Sequence, residues 1–221
     1  MRALVIGNAH DFDPGFVGHR LRVRGYAFTE AHREHPEWWP SVDGFDLVLT
    51  LGSEWNVYRP ATSDLVEAEA AVVREIVGRE IPLLAICFGA QVLSHALGGT
   101  VSRTDTPEIG WYELDGPDVA KGPWMEWHDD VFTVPEGFDV LASTAVGPQL
   151  LRGGRIVVTQ FHPEATETMV RRWLSVGGAE QLRARGGDPA ALLAETRVNV
   201  ERSQPAAEAL VDWFLDEVAG T

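Results

Sequence analysis

Short, continuous apolar runs alternate along this chain with longer stretches in which apolar positions recur every three to four residues. The runs read as strands buried on both faces and the periodic stretches as helices packed on them. Together they predict an α/β, doubly wound, mostly parallel sheet flanked by helices. The strand candidates are residues 3–6, 45–50, 81–86 and 155–164. Residues 64–78 give the clearest helix: Leu65, Val66, Ala70, Val73 and Val77 make an apolar stripe, and Thr62, Ser63 and Asp64 offer N-caps. A second helix begins at Gly89, carries Val92, Leu93, Ala96 and Leu97 at helical spacing, and stops at Gly98-Gly99. Residues 16–24 predict a short helix of poor period. Residues 31–40, with Trp38 and Trp39, read as a loop or edge segment. From 101 to 158 the pattern changes to short strands and turns, a small β-rich excursion before the chain returns to the main sheet. Residues 190–203 and 205–219 predict two closing helices, and Gly, Pro and charge make 183–189 the most flexible stretch.

Composition supports this picture. A chain of 221 residues buries one substantial core, so a single domain is expected over 1–221, with a helical extension from about 165. No apolar run approaches the ~20 residues of a membrane span. A strand starting directly after Met1-Arg2 leaves no room for a signal peptide. A single cysteine rules out an internal disulfide and suits a reducing, cytoplasmic location. The formal charge of −15 argues against nucleic-acid and anionic-membrane partners.

The chemistry concentrates at two strand ends. Cys87 ends the apolar run 81–86 and precedes the helix that starts at Gly89, so it sits in a sharp strand-to-helix turn with room for close packing at Ala85 and Gly89. Such a turn exposes a side chain at the carboxyl edge of a sheet, and a helix N-terminus favours a thiolate. A lone cysteine among Ile, Leu and Phe is most often a small buried hydrophobe. A second motif shifts that balance. Residues 155–164 end in His162-Pro163-Glu164, where side chains two apart share a face of an extended chain. A carboxylate beside an imidazole fixes its tautomer while the other ring nitrogen meets a thiol. Cys87, His162 and Glu164 thus form a candidate catalytic triad.

At these residues the chain resembles the class I, triad-type glutamine amidotransferases. Cys87-Phe88-Gly89-Ala90-Gln91 is similar to that family's cysteine elbow, and Gln160-Phe161-His162-Pro163-Glu164 to its histidine–glutamate motif. Glu108-Ile109-Gly110-Trp111 and Trp127-His128-Asp129-Asp130 fall where stand-alone members similar to the GMP synthase amidotransferase domain carry EIGW and WHGD-like segments. Leu51-Gly52-Ser53-Glu54 stands where the family has its glycine-rich oxyanion turn. The resemblance implies a flavodoxin-like fold and hydrolysis of the glutamine side-chain amide through a cysteine thioester. It also implies backbone oxyanion donors at Gly52 and Phe88, and substrate binding by Gln91, His128 and Asp129. Four positions depart from the pattern: Ala85 for glycine in the elbow, Leu51 and Ser53 for glycine and proline in the oxyanion turn, and Asp129 for glycine. An Asp129 side chain aimed at the substrate carboxylate would repel it.

Three functional readings follow: an amidotransferase subunit supplying ammonia to a separate synthase, a stand-alone hydrolase or transferase of another γ-glutamyl compound, and an idle binding scaffold. No phosphate-loop or dinucleotide fingerprint is present, so no cofactor is implied. His32 and His35, three apart and able to share a helix face with Glu34, make only a minimal metal pair without a third ligand at set spacing, so no metal is expected there and a solvated polar segment is the better reading. His10, Asp11 and Asp13 read as the turn after the first strand, and His95 as a packed or partly exposed helix residue. Trp38, Trp39, Trp55 and Trp111 are candidates to border a cleft.

Overall fold

The computed structural model describes residues 1–220. The chain folds around a seven-stranded sheet in the order β2-β1-β3-β4-β9-β8-β7, with a separate two-stranded ribbon, β5-β6. The strands are β1 (Arg2–Gly7), β2 (Ala27–His32), β3 (Leu47–Thr50), β4 (Leu83–Ile86), β5 (Val101–Tyr112), β6 (Trp124–Phe132), β7 (Asp139–Ser143), β8 (Pro148–Gly153) and β9 (Ile156–Thr159). Pairing is parallel from β2 through β9, and antiparallel from β9 through β8 to β7. Every residue of β3, β4 and β9 is buried, the signature of strands covered on both faces.

Helices α1 (Gly15–Val23) and α6 (Pro189–Trp213) cover one face, where Val17, Leu21, Leu210, Val211 and Phe214 pack on Val5, Leu49 and Leu84. Helices α2 (Ser63–Gly78) and α3 (Phe88–Ala96) cover the other, through Val66, Val73, Ile76 and Val92. The short α4 (Glu167–Trp173) and α5 (Ala179–Ala184), joined by a wide turn at Leu174–Gly178, pack with β6 around Met125, Val170 and Leu182. The helix that begins beside Thr62 has no side-chain cap bond from that residue.

Two expectations change. Residues 31–40 hold the end of an edge strand that starts earlier than expected, at Ala27, followed by turns and a single helical turn at Pro36–Trp38. The strand's burial alternates weakly because it lies on the sheet edge, so the pattern hid it. The two closing helices are one helix running through Pro205. Proline removes the bond to the Glu201 carbonyl, but both residues are exposed, so the lost bond does not leave a buried helix turn. Buried Ser203, Ala207 and Leu210 hold both halves on the core. The stretch 183–189 is a compact turn: the Gly187 N–H bonds the Leu182 carbonyl, and Asp188 caps α6. Among the described residues no helix is long and apolar enough to cross a membrane.

Candidate active site

β3, β4 and β9 are neighbours, and their carboxyl ends deliver Gly52, Cys87 and His162 to one place, the usual ligand edge of an open α/β sheet. Cys87 is the N-cap of α3, with φ +51 and ψ −103. A non-glycine residue held there stores about 1–3 kcal/mol of strain. The surroundings enforce it: the Cys87 N–H bonds the Thr159 carbonyl at 2.7 Å, and its carbonyl accepts from the Gln91 N–H at 3.1 Å. Gly89 permits the turn, because a Cβ there would lie 2.1 Å from the Thr50 hydroxyl.

β9 stops at Thr159, so His162 and Glu164 lie in a turn and not in a strand. Their side chains meet nonetheless, with Nδ1 of His162 2.7 Å from Oε1 of Glu164 and both residues buried. The His162 N–H is anchored to the Met125 carbonyl at 2.8 Å, and the Glu164 carbonyl accepts from the Phe16 N–H at 3.1 Å. Gly15, at φ +47, makes that last contact possible, since a Cβ there would overlap the Glu164 carbonyl. Burial pulls the His162 imidazole toward neutrality, but the Glu164 carboxylate and the Cys87 sulfur outweigh it. They hold its pKa well above the ordinary imidazole value. Gly52 touches both partners: a Cβ there would stand 2.7 Å from His162 Cε1 and 3.7 Å from Cys87 Cβ.

These residues floor a cavity of about 400 Å³. Gln91 reaches it and donates to Gln160 at 3.5 Å, and Gln160 in turn donates to Cys87 Sγ at 3.5 Å. His128 also lines the cavity, but both nitrogens of its buried imidazole are taken up by other protein groups. Nδ1 lies 3.0 Å from the Asp130 carbonyl and Nε2 3.1 Å from Glu108 Oε2, with Glu126 Oε2 at 3.3 Å. Acceptors at both nitrogens require two N–H donors, hence an imidazolium. Burial opposes that charge, but Glu108 and Glu126 prevail and raise the pKa to about 10. With both nitrogens committed, the ring has no donor left for a substrate. Burial pushes the Glu126 carboxyl upward, against the pull of His128. Glu108, Glu126 and His128 are also the one set of potential metal ligands among the described residues that lie within reach of one another. His32 and His35 instead bond separately to Glu30 and Glu37.

Asp129 sits at the rim, where it is neutralised. Its carboxylate accepts from Arg185 at 2.6 Å and from Gln181 at 3.3 Å, with Arg103 at 3.7 Å. The cavity's aromatic wall is formed by Trp55, Trp127 and Trp173. Trp173 leans on the His162 ring at 4.9 Å and donates to Asp11, and Trp127 meets Trp173 edge-on and donates to Gln181. Trp38 is solvent-exposed, Trp39 bonds the His32 carbonyl, and Trp111 bonds Thr196, all outside the cavity lining. Spacing along the chain held no signal for Trp173 or Gln181, which come from α4 and α5, short helices within the extension expected from about 165.

Comparison with known proteins shows the family and the fold. Residues 56–174 match the family model described as glutamine amidotransferase class-I. The chain belongs to the class-I glutamine amidotransferase family. It is 36% identical over 165 residues to a GMP synthase [glutamine-hydrolyzing] of Mycobacterium marinum, covering 69% of this chain and 30% of that protein. It is 30% identical over 177 residues to the Bdellovibrio bacteriovorus protein of the same name, covering 76% and 33%. The matched region thus spans about a third of the length of these curated relatives. Among solved structures, a glutamine amidotransferase from Thermotoga maritima superposes with a TM-score of 0.83 at 25% identity, over 100% of this chain and 99% of that one. A Methylobacillus flagellatus glutamine amidotransferase has the same fold, with a TM-score of 0.82 at 21% identity over 98% and 94%.

Proposed function

We propose that this chain hydrolyses the side-chain amide of glutamine, with Cys87 as nucleophile, and passes the ammonia to a separate synthase. One observation carries the reading: a strained Cys87 faces an imidazole that Glu164 holds at 2.7 Å, on the floor of an open cavity. The Cys87 thiolate attacks the amide carbon, and the carbonyl electrons move to oxygen, where the Gly52 and Phe88 N–H groups receive the charge. The His162 imidazolium then gives its proton to the leaving nitrogen, the C–N bond breaks and ammonia departs. Neutral His162 takes a proton from water, the resulting hydroxide adds to the thioester, and collapse expels the thiolate and leaves glutamate. Glu164 orients the ring and supports its charge throughout. Gln91 and the main chain at Asp129 hold the amino-acid end.

The synthase partner is part of the proposal. The loop 51–60 carries Gly52, and its Asn56 and Tyr58 both bond the Asp130 carboxylate, while half of Tyr58 remains exposed. A partner that presses on Tyr58 moves the oxyanion loop, so activation is expected in kcat more than in KM. The test measures glutamate release from glutamine by wild type and Cys87→Ala, alone and with candidate synthases. Turnover that survives Cys87→Ala overturns the nucleophile assignment.

A specific observation favours a second reading, hydrolysis of another γ-glutamyl amide. Besides the neutralised Asp129, Asp13, Glu54 and Asp130 line the cavity, and among the described residues no Lys or Arg does. That lining suits a substrate whose leaving amine carries positive charge. A panel of γ-glutamyl amides decides between the two: preference for cationic amines over glutamine by the isolated chain establishes the second.

A further inference from the structure

Arg33 follows the edge strand β2 and is 1% exposed. All five of its N–H groups are committed. Nε and Nη2 hold the Glu69 carboxylate at 2.6 and 3.1 Å, and Nη1 reaches Asn8 Oδ1 at 3.2 Å. The two remaining donors bind main-chain carbonyls, Leu51 O at 2.7 Å through Nη2 and Gly52 O at 2.9 Å through Nη1. Its guanidinium also lies 4.9 Å over the Phe88 ring. One buried cation therefore grips two successive peptides of the turn that carries Gly52, and touches the residue that follows Cys87.

In a trans peptide the C=O and N–H point in opposite directions. Holding the Leu51 carbonyl on Arg33 turns the Gly52 N–H away from Arg33, and holding the Gly52 carbonyl does the same for Ser53. Neither N–H has a protein acceptor among the described residues. Ser53 lacks the fixed φ that a proline would give the turn; its Oγ accepts from the Trp55 N–H at 3.0 Å, a bond that leaves the Leu51 and Gly52 carbonyls to be held by Arg33. Only a planar, five-donor guanidinium can meet a carboxylate, an amide and two carbonyls at once; a lysine ammonium has three donors and no fork.

We propose that Arg33, clamped by Glu69 and Asn8, is the positioning residue that presets the oxyanion turn, a role that rests on the amidase reading above. Preset dipoles stabilise a developing oxyanion without reorganising during the reaction. Loss of the clamp then lowers kcat and leaves substrate binding nearly unchanged.

Removing Arg33 alone would strand a buried Glu69, so the main test is Arg33→Met with Glu69→Leu, since replacing both partners of a buried pair with apolar groups is often neutral for folding. Expected for this double variant are a fall in glutamine kcat of roughly 10–100-fold with KM within about twofold, and faster amide exchange over residues 51–55. Iodoacetamide should alkylate Cys87 at the wild-type rate, because displacement at a saturated carbon forms no oxyanion. Arg33→Lys keeps the charge pair and should show the same pattern to a smaller degree. Wild-type kcat in the double variant, alkylation that falls in parallel with turnover, or unchanged exchange over 51–55 would each overturn the proposal. A wild-type protein that hydrolyses no γ-glutamyl amide defeats the amidase reading instead, and the exchange measurement still decides the clamp.

Discussion

Nδ1 of His162 lies 2.7 Å from the Glu164 carboxylate, which leaves Nε2 as the only ring nitrogen free to exchange protons with a substrate. The carboxylate contributes both orientation and charge to this pair. Glu164→Gln keeps a hydrogen-bonding group on Nδ1 and loses the charge, so it should lower kcat less than His162→Ala does. Steady-state kinetics on the two variants check the order; equal losses would mean that charge, and not orientation, is the whole contribution.

Gly52 packs against both His162 and Cys87. Gly52→Ala places a methyl 2.7 Å from His162 Cε1, so the ring or the turn must shift. Turnover should drop roughly 100-fold, the range for losing one oxyanion donor, with the melting temperature little changed. Thermal melts alongside kinetics separate this outcome from simple misfolding.

The backbone at Cys87 makes a stability prediction independent of catalysis. Both Cys87→Ala and Cys87→Gly remove the thiol, but only glycine is at ease at φ +51. Cys87→Gly should be about 1 kcal/mol more stable than Cys87→Ala in urea unfolding. The reverse order would mean that the turn is not strained.

His128 links stability to pH. Its folded pKa of about 10 exceeds the ordinary 6.5, so its contribution is full below pH 6.5 and fades as pH rises toward 10. The amount is on the order of a few kcal/mol for so buried a group. Unfolding free energy measured from pH 6 to 10 should decline in wild type and decline less in His128→Gln.

Asp129 ties α5 to the cavity rim through Gln181 and Arg185. Asp129→Ala frees that wall, so KM for glutamine should rise severalfold while kcat changes by less. Because the Arg185 pair is partly exposed, unfolding free energy should move by no more than about 1 kcal/mol. A kcat effect as large as that of Gly52→Ala would place Asp129 in the chemistry itself.

Much of the fold was legible from the chain alone. Aliphatic runs such as Leu83–Ile86 and Ile156–Thr159 have no polar face, so they belong to the covered centre of a parallel sheet. The change of pattern at Cys87 marked a strand-to-helix turn, and His162 and Glu164 stood two residues apart at another strand end. All of these are local statements, because periodicity records which face of its own element a residue buries. The edge strand Ala27–His32 escaped, since an edge buries too little to alternate clearly. The helix through Pro205 escaped because packing at Ser203, Ala207 and Leu210 outweighs one missing hydrogen bond.

Only the tertiary structure decided which distant groups serve the site. Strand order sets β3, β4 and β9 side by side, and no local pattern encodes strand order. The same packing commits both His128 nitrogens to Asp130 and Glu108, neutralises Asp129 with Arg185 and lays Trp173 on His162. Arg33 is the clearest case. In the chain it is one charged residue among several after an unremarked strand. In the fold it is a buried fork whose five donors meet groups drawn from three segments. A hydrogen-bond donor's role is defined by the acceptors it reaches, and those are brought to it only when the whole chain has folded.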